Sequence, residues 1–200
     1  GATLFVSLWG GARVMLLDAK TLATKGEVVV GEHPNAMAQA ADGRLFVACA
    51  NTNAAWVVDP AAMKATEQIS VALFPEAPMG STPNALALSP DGRRLLIANA
   101  DNNTAALVDV SATGKSRVMG FIPTGWYPTG VAFSQRAEAI FILSGKGLTS
   151  APNPRGAQPG IPGSDGQYSG SMLTGSLSIL AMPDDEALRK YTNTVYRVTS

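Results

Sequence analysis

One block of sequence is written more than once in this chain, and repetition of that kind restricts folding more tightly than any bulk composition value. His33 to Asp59 reads HPNAMAQAADGRLFVACANTNAAWVVD, and Thr82 to Val110 reads TPNALALSPDGRRLLIANADNNTAALVDV. Pro34-Asn35-Ala36 recurs as Pro83-Asn84-Ala85 and, more loosely, as Pro128-Thr129-Gly130. Asp42-Gly43-Arg44 recurs as Asp91-Gly92-Arg93. Val57-Val58-Asp59 recurs as Leu107-Val108-Asp109 and, earlier, as Leu16-Leu17-Asp18. The period is roughly 40–50 residues, which is the length of a propeller blade.

The copy that starts at Thr82 reads as a run of short strands. NALALS alternates apolar and polar positions. SPDG follows, with Pro90 and Gly92 where a type I turn prefers them. RRLLIANA is a buried-looking strand, and DNNT is a second turn because Asp and Asn satisfy their own backbone and tolerate left-handed geometry. AALVDV, the turn SATG and the strand SRVMGFI complete the unit. Turn residues every eight to twelve positions exclude a helical reading. Four antiparallel strands make one blade, which buries both faces only by stacking on neighbours around an axis. The fold class expected is therefore all-β, a partial β-propeller of about four blades.

The repeats fall at about 1–32, 33–81, 82–126 and 127–183. The first begins at TLFVSLWG, which aligns with the second strand of the unit, so its innermost strand is missing. The last supplies PTGVAFS, AIFILSG and GSLSILAM and lacks an outer strand. Two gaps that do not complement each other suggest part of a larger ring. A compact or self-associated half-ring, pairing through open sheet edges, is the alternative. In the tail, residues 184–200, Pro183 and the acidic run Asp184-Asp185-Glu186 signal a helix start. Leu188, Tyr191 and Val195 share one helical face.

Composition limits the chemistry. Fifteen basic and fifteen acidic residues balance, which gives no support for a nucleic-acid groove. No apolar run reaches the ~18 residues of a membrane span, and no signal peptide is visible. The one cysteine, Cys49, lies in an apolar run and reads as a small buried hydrophobe. With one histidine, His33, the clustered ligands of metal-dependent phosphate chemistry are not present. Asp42, Asp59, Asp91 and Asp109 recur once per repeat, as turn residues do. No nucleophile elbow and no phosphate-binding Gly-rich loop is present. No catalytic residue, metal ligand or cofactor is expected.

The repeat as a whole, with LLIANADNNT at its centre, resembles the YVTN-repeat (YncE-like) seven-bladed β-propeller family. FPEAPMGSTPNALALSPDG, GFIPTGWYPTGVAFS, SGKGLTSAPNPRG and TGSLSILAMPDDEALRKYTNTVY are similar to the end of the propeller in bifunctional proteins that carry an alkaline-phosphatase-like phosphoesterase domain. The resemblance covers essentially the whole chain. It implies a non-catalytic scaffold or binding module, with the phosphoesterase downstream of Ser200, and a periplasmic or extracellular location. Its partners would be that domain or the remaining blades. One departure from the pattern is SQRAEAIF after Phe133, which has lost the SPDG turn. The alternative function is a stand-alone cell-surface or envelope interaction protein. A quinone or copper propeller would need several histidines.

Binding residues should differ between copies at one geometrically special place. The position before each repeated proline is such a place: His33, Thr82 and Tyr127, with Trp126 beside the last. They are expected to ring one mouth of the central channel. The insert from Lys146 to Gly175 is too long for a hairpin turn and is rich in Pro and Gly. Its Lys146, Asn153, Arg155 and Tyr168 are candidates for docking the downstream domain or meeting a small anionic ligand.

Overall fold

The computed structural model describes residues 2–148, 170 and 173–199. Among these, four antiparallel sheets follow one another along the chain, each strand pairing with its sequence neighbour. Blade 1 holds β1 (Thr3–Leu8), β2 (Arg13–Asp18) and β3 (Thr24–Val29). Blade 2 holds β4 (Pro34–Gln39), β5 (Leu45–Cys49), β6 (Ala54–Asp59) and β7 (Lys64–Ser70). Blade 3 holds β8 (Pro83–Leu88), β9 (Arg94–Asn99), β10 (Thr104–Asp109) and β11 (Arg117–Pro123). Blade 4 holds β12 (Pro128–Phe133), β13 (Ala139–Ser144) and β14 (Ser176–Ala181), and helix α1 (Asp185–Thr199) follows. The sheets are those of a partial β-propeller, with three, four, four and three strands in chain order.

The turn chemistry works as the residue types require. Asp42 and Asp91 each accept the backbone N–H two residues on, at 3.1 Å, in the first turn of their blades. Asp18, Asp59 and Asp109 do the same in the turn that leads to the outermost strand. These recurring carboxylates are turn caps. The first turn of blade 4 survives the loss of SPDG, because Ala137 donates to the Ser134 carbonyl at 2.9 Å just as Gly43 and Gly92 donate to Ala40 and Ser89. Ala137 does so at φ +56°, where its counterparts are glycines.

Blades stack through alternate strand faces. Val14, Leu16 and Val28 of blade 1 meet Leu45, Val47 and Cys49 of blade 2. Phe46, Ala55 and Val57 of blade 2 meet Leu95 and Ile97 of blade 3. Leu96, Leu107 and Ile122 of blade 3 meet Ile140 and Ile142 of blade 4. Each such aliphatic side chain contributes about 1.5–3 kcal/mol on burial. The outward faces of the two end blades carry the same residue types uncovered: Leu4 and Val29 on blade 1, and Leu143, Leu177 and Ile179 on blade 4.

Helix α1 starts where the acidic run places it. The Asp184 carboxylate accepts the Ala187 N–H at 2.8 Å, capping the first turn. The helix lies along β11, the outer strand of blade 3. Val195 enters the core between blades 2 and 3, and Leu188 enters the core between blades 3 and 4. The Thr192 hydroxyl accepts the Phe121 N–H at 2.9 Å and donates to the Leu188 carbonyl at 2.8 Å. A free edge N–H is thereby satisfied from the side. The helix reaches this close because Gly120 faces it: a Cβ there would stand 2.5 Å from Thr192 Oγ1 and 2.8 Å from Leu188 Cγ.

Candidate functional site

The innermost strands of blades 2, 3 and 4 are preceded by the same four-residue link: Gly31-Glu32-His33-Pro34, Gly80-Ser81-Thr82-Pro83 and Gly125-Trp126-Tyr127-Pro128. The backbone does one thing in all three. His33, Thr82 and Tyr127 sit at φ +54°, +50° and +57°. None is glycine, and a left-handed conformation costs such residues about 1–3 kcal/mol. The carbonyl of each residue accepts an N–H from the end of the next strand, from Ala50, Ala100 and Gly145 respectively, at 2.9–3.1 Å. These bonds hold the strained geometry.

The side chains then diverge. His33 stacks on Trp9, with ring centroids 3.8 Å apart and planes 7° from parallel. The Thr82 hydroxyl donates to Asp101 at 2.5 Å. The ring of Tyr127 lies 4.3 Å from the Lys146 ammonium, a cation–π contact. The three candidate rim residues therefore share a backbone position and hold three unlike partners, an indole, a carboxylate and an ammonium. Lys146, assigned from sequence to the insert, belongs with Tyr127. Trp126 is 47% exposed and lines a groove with the C-terminal end of α1. Asn153, Arg155 and Tyr168 lie outside the described residues.

Two features of this end were not singled out in the sequence. The first is the leading glycine of the link. At Gly31 a Cβ would stand 2.5 Å from Trp56 Nε1 and 2.8 Å from Cys49 Cβ, and at Gly125 it would stand 2.6 Å from the Gly147 carbonyl oxygen. The recurring Gly-x-x-Pro spacing is the signal that marks it. The second is the residue after each proline. Asn35, Asn84 and Thr129 fall where the strand register slips between Pro and the next paired residue. The Asn35 amide donates to the Pro83 carbonyl at 3.2 Å and to Asn84 Oδ1 at 3.3 Å. These bonds tie the innermost strands of blades 2 and 3 together.

Two asparagines also fasten blades to links. Asn53 Oδ1 accepts the N–H groups of Gly80 and Ser81 at 2.9 and 2.7 Å. Asn103 Oδ1 accepts the Tyr127 N–H at 2.8 Å. Both asparagines have positive φ, +48° and +51°, which Asn tolerates better than most residues.

The opposite end holds a groove of about 490 Å³ lined by Asp42, Arg44 and Asp59 among others. Arg44 is committed there: its guanidinium bonds Asp42 at 2.7 Å and the Val110 carbonyl at 3.0 Å, joining blade 2 to blade 3. Burial pushes the Cys49 thiol up to about 12. Among the described residues no three His, Cys, Asp or Glu side chains converge as a metal site.

No protein-family model matches the chain, and no curated protein matches it. Among solved structures, it is similar to hydrazine synthase from Kuenenia stuttgartiensis, with a TM-score of 0.63 and 28% sequence identity. The likeness covers 72% of this chain and 39% of that one, so the chain spans well under half the length of that relative. The likeness supports the propeller architecture.

Proposed function

We propose that this chain is a non-catalytic β-propeller module that reads a ligand at the Gly-x-x-Pro end of its inner strands. The observation that carries the reading is the combination at His33, Thr82 and Tyr127 of one strained backbone geometry with three unlike side-chain environments. A scaffold that keeps an energetically costly conformation three times while varying what it displays is built for display. Trp9, His33, Tyr127 and Lys146 supply aromatic faces and a positive charge, which suit a small anionic ligand.

The module would work as part of a larger YVTN-type ring attached to a metal-dependent phosphoesterase domain, exported to the periplasm or beyond. Support for further blades comes from the uncovered Leu4 and Val29 on one side and Leu143, Leu177 and Ile179 on the other. These are the residue types that fill the three inter-blade cores. The alternative, a stand-alone envelope interaction protein, differs in what surrounds the chain.

Intact mass and tryptic peptides of the native protein test the assembly. Peptides before Gly1 with blade periodicity, and peptides after Ser200 that support metal-dependent phosphoester hydrolysis, are expected. A native protein with neither sinks this reading in favour of the interaction protein. The rim is tested separately by His33→Ala and Tyr127→Ala, which should weaken ligand capture and leave the unfolding midpoint near that of the parent chain.

A further inference from the structure

We infer that the groove between Trp126 and the C-terminal end of α1 binds a neutral, monosaccharide-sized ligand, a pyranoside. This goes beyond the rim: it uses neither His33 nor Thr82 and stands or falls without them. The groove encloses about 320 Å³, at the small end of ligand pockets, which start near ~300 Å³. Its walls combine Trp126, Pro123 and Val198 with Asn102, Asn103 and Thr199, and among the described residues no acidic or basic side chain lines it.

The indole is presented on a pinned backbone. The Trp126 N–H donates to the Gly147 carbonyl at 2.7 Å, and its carbonyl accepts the Lys146 N–H at 3.0 Å. Nearly half of its surface is open. The amides beside it are half-used. Asn103 spends Oδ1 on the Tyr127 N–H, and among the described residues its Nδ2 has no hydrogen-bond partner. Asn102 spends Nδ2 on the Ser81 hydroxyl at 2.9 Å, and among the described residues its Oδ1 accepts from no donor. One open donor and one open acceptor on adjacent residues match a pair of neighbouring hydroxyls, each of which can donate and accept.

The rival ligand chemistries fit less well. A charged ligand would enter a groove without a counter-charge, at the cost of its own desolvation. A purely apolar one would cover the open amide groups and leave them unpaired. A pyranose ring has both properties the walls ask for, a C–H face for the indole and hydroxyls at its edge.

The test is a titration of the whole chain with methyl glucoside, methyl galactoside and the methyl glycoside of N-acetylglucosamine. It follows the Trp126 indole N–H and the Asn103 side-chain amide by NMR. At least one glycoside should shift both resonances saturably. Trp126→Ala should weaken that binding about tenfold or more, the scale of an aromatic anchor. Val198→Arg, at an exposed position on the helix, should block it with the fold intact, and His33→Ala should leave it unchanged. The inference is overturned if no glycoside gives a saturable shift, if Trp126→Ala and Val198→Arg bind as the parent does, or if benzoate or a short apolar alcohol shifts these resonances in preference to the sugars.

Discussion

At the scale of single residues, positive φ angles mark where this fold is under local strain. Ala137 holds at +56° a turn position that Gly43 and Gly92 hold in the other blades. Ala137→Gly should therefore raise stability by about 1 kcal/mol, the approximate cost of the left-handed conformation for a residue with a Cβ. A urea midpoint that falls would show that the turn has relaxed around alanine. Gly31 carries the opposite constraint. Its Cβ would overlap Trp56 and Cys49 side chains that are packed in the core between blades 1 and 2. Gly31→Ala should cost about 1–3 kcal/mol, as overpacking does. The turn carboxylates set the acid limit. Hydrogen bonds from the Thr21 and Lys20 N–H groups hold Asp18 at about 2 against an ordinary 3.8. Ser89 lowers Asp91 and Ser111 lowers Asp109 through their hydroxyls and nearby N–H groups. Folded values below unfolded ones mean that this stability is complete above pH ~4 and is lost as pH falls towards ~2. Melting temperature across that interval should decline, and it should decline less in Asp18→Asn.

Among the elements, β11 and α1 are the pair whose relation most needs testing. The strand has a free outer edge, and the helix covers it with Thr192 and anchors on both sides with Leu188 and Val195. Gly120→Ala should push α1 outward, because Thr192 and Leu188 occupy the place of the new methyl group. Amide exchange at Phe121 should speed up, and protease should cut the helix sooner. Unchanged exchange would mean the helix shifts as a body and keeps its bond. Thr192→Val keeps the shape and removes the hydroxyl, so it should cost about 1 kcal/mol, the worth of one hydrogen bond.

For the molecule as a whole, blades hold together through apolar cores and a few polar fasteners. Arg44, Asn35, Asn53 and Asn103 bond across blades or to the links that join them. Cys49 lies in the core between blades 1 and 2 with none of its surface exposed. It should resist iodoacetamide in the native protein at mildly alkaline pH and react once denaturant separates the blades. Early labelling would show that this interface breathes.

The strands and their order were readable because their causes are local. Period-two alternation sets each strand, and Asp or Asn at its end sets each turn, so the order of three, four, four and three strands follows from short windows. The pre-proline residues were legible as special positions for the same reason, since the Pro-Asn-Ala repeat aligns them. What they touch was not legible. His33 meets Trp9 of the preceding blade, and Tyr127 meets Lys146 across the hairpin. The seat of α1 was hidden too: the Phe121–Thr192 bond joins residues 71 positions apart, and helical periodicity names the buried face without naming its partner. Sequence alone determined how many strands form and which residues turn them, because those forces act over a few bonds. Tertiary structure alone decided the strain before the inner strands, the glycines against packed neighbours and the groove beside Trp126, because each arises where distant segments compete for one volume.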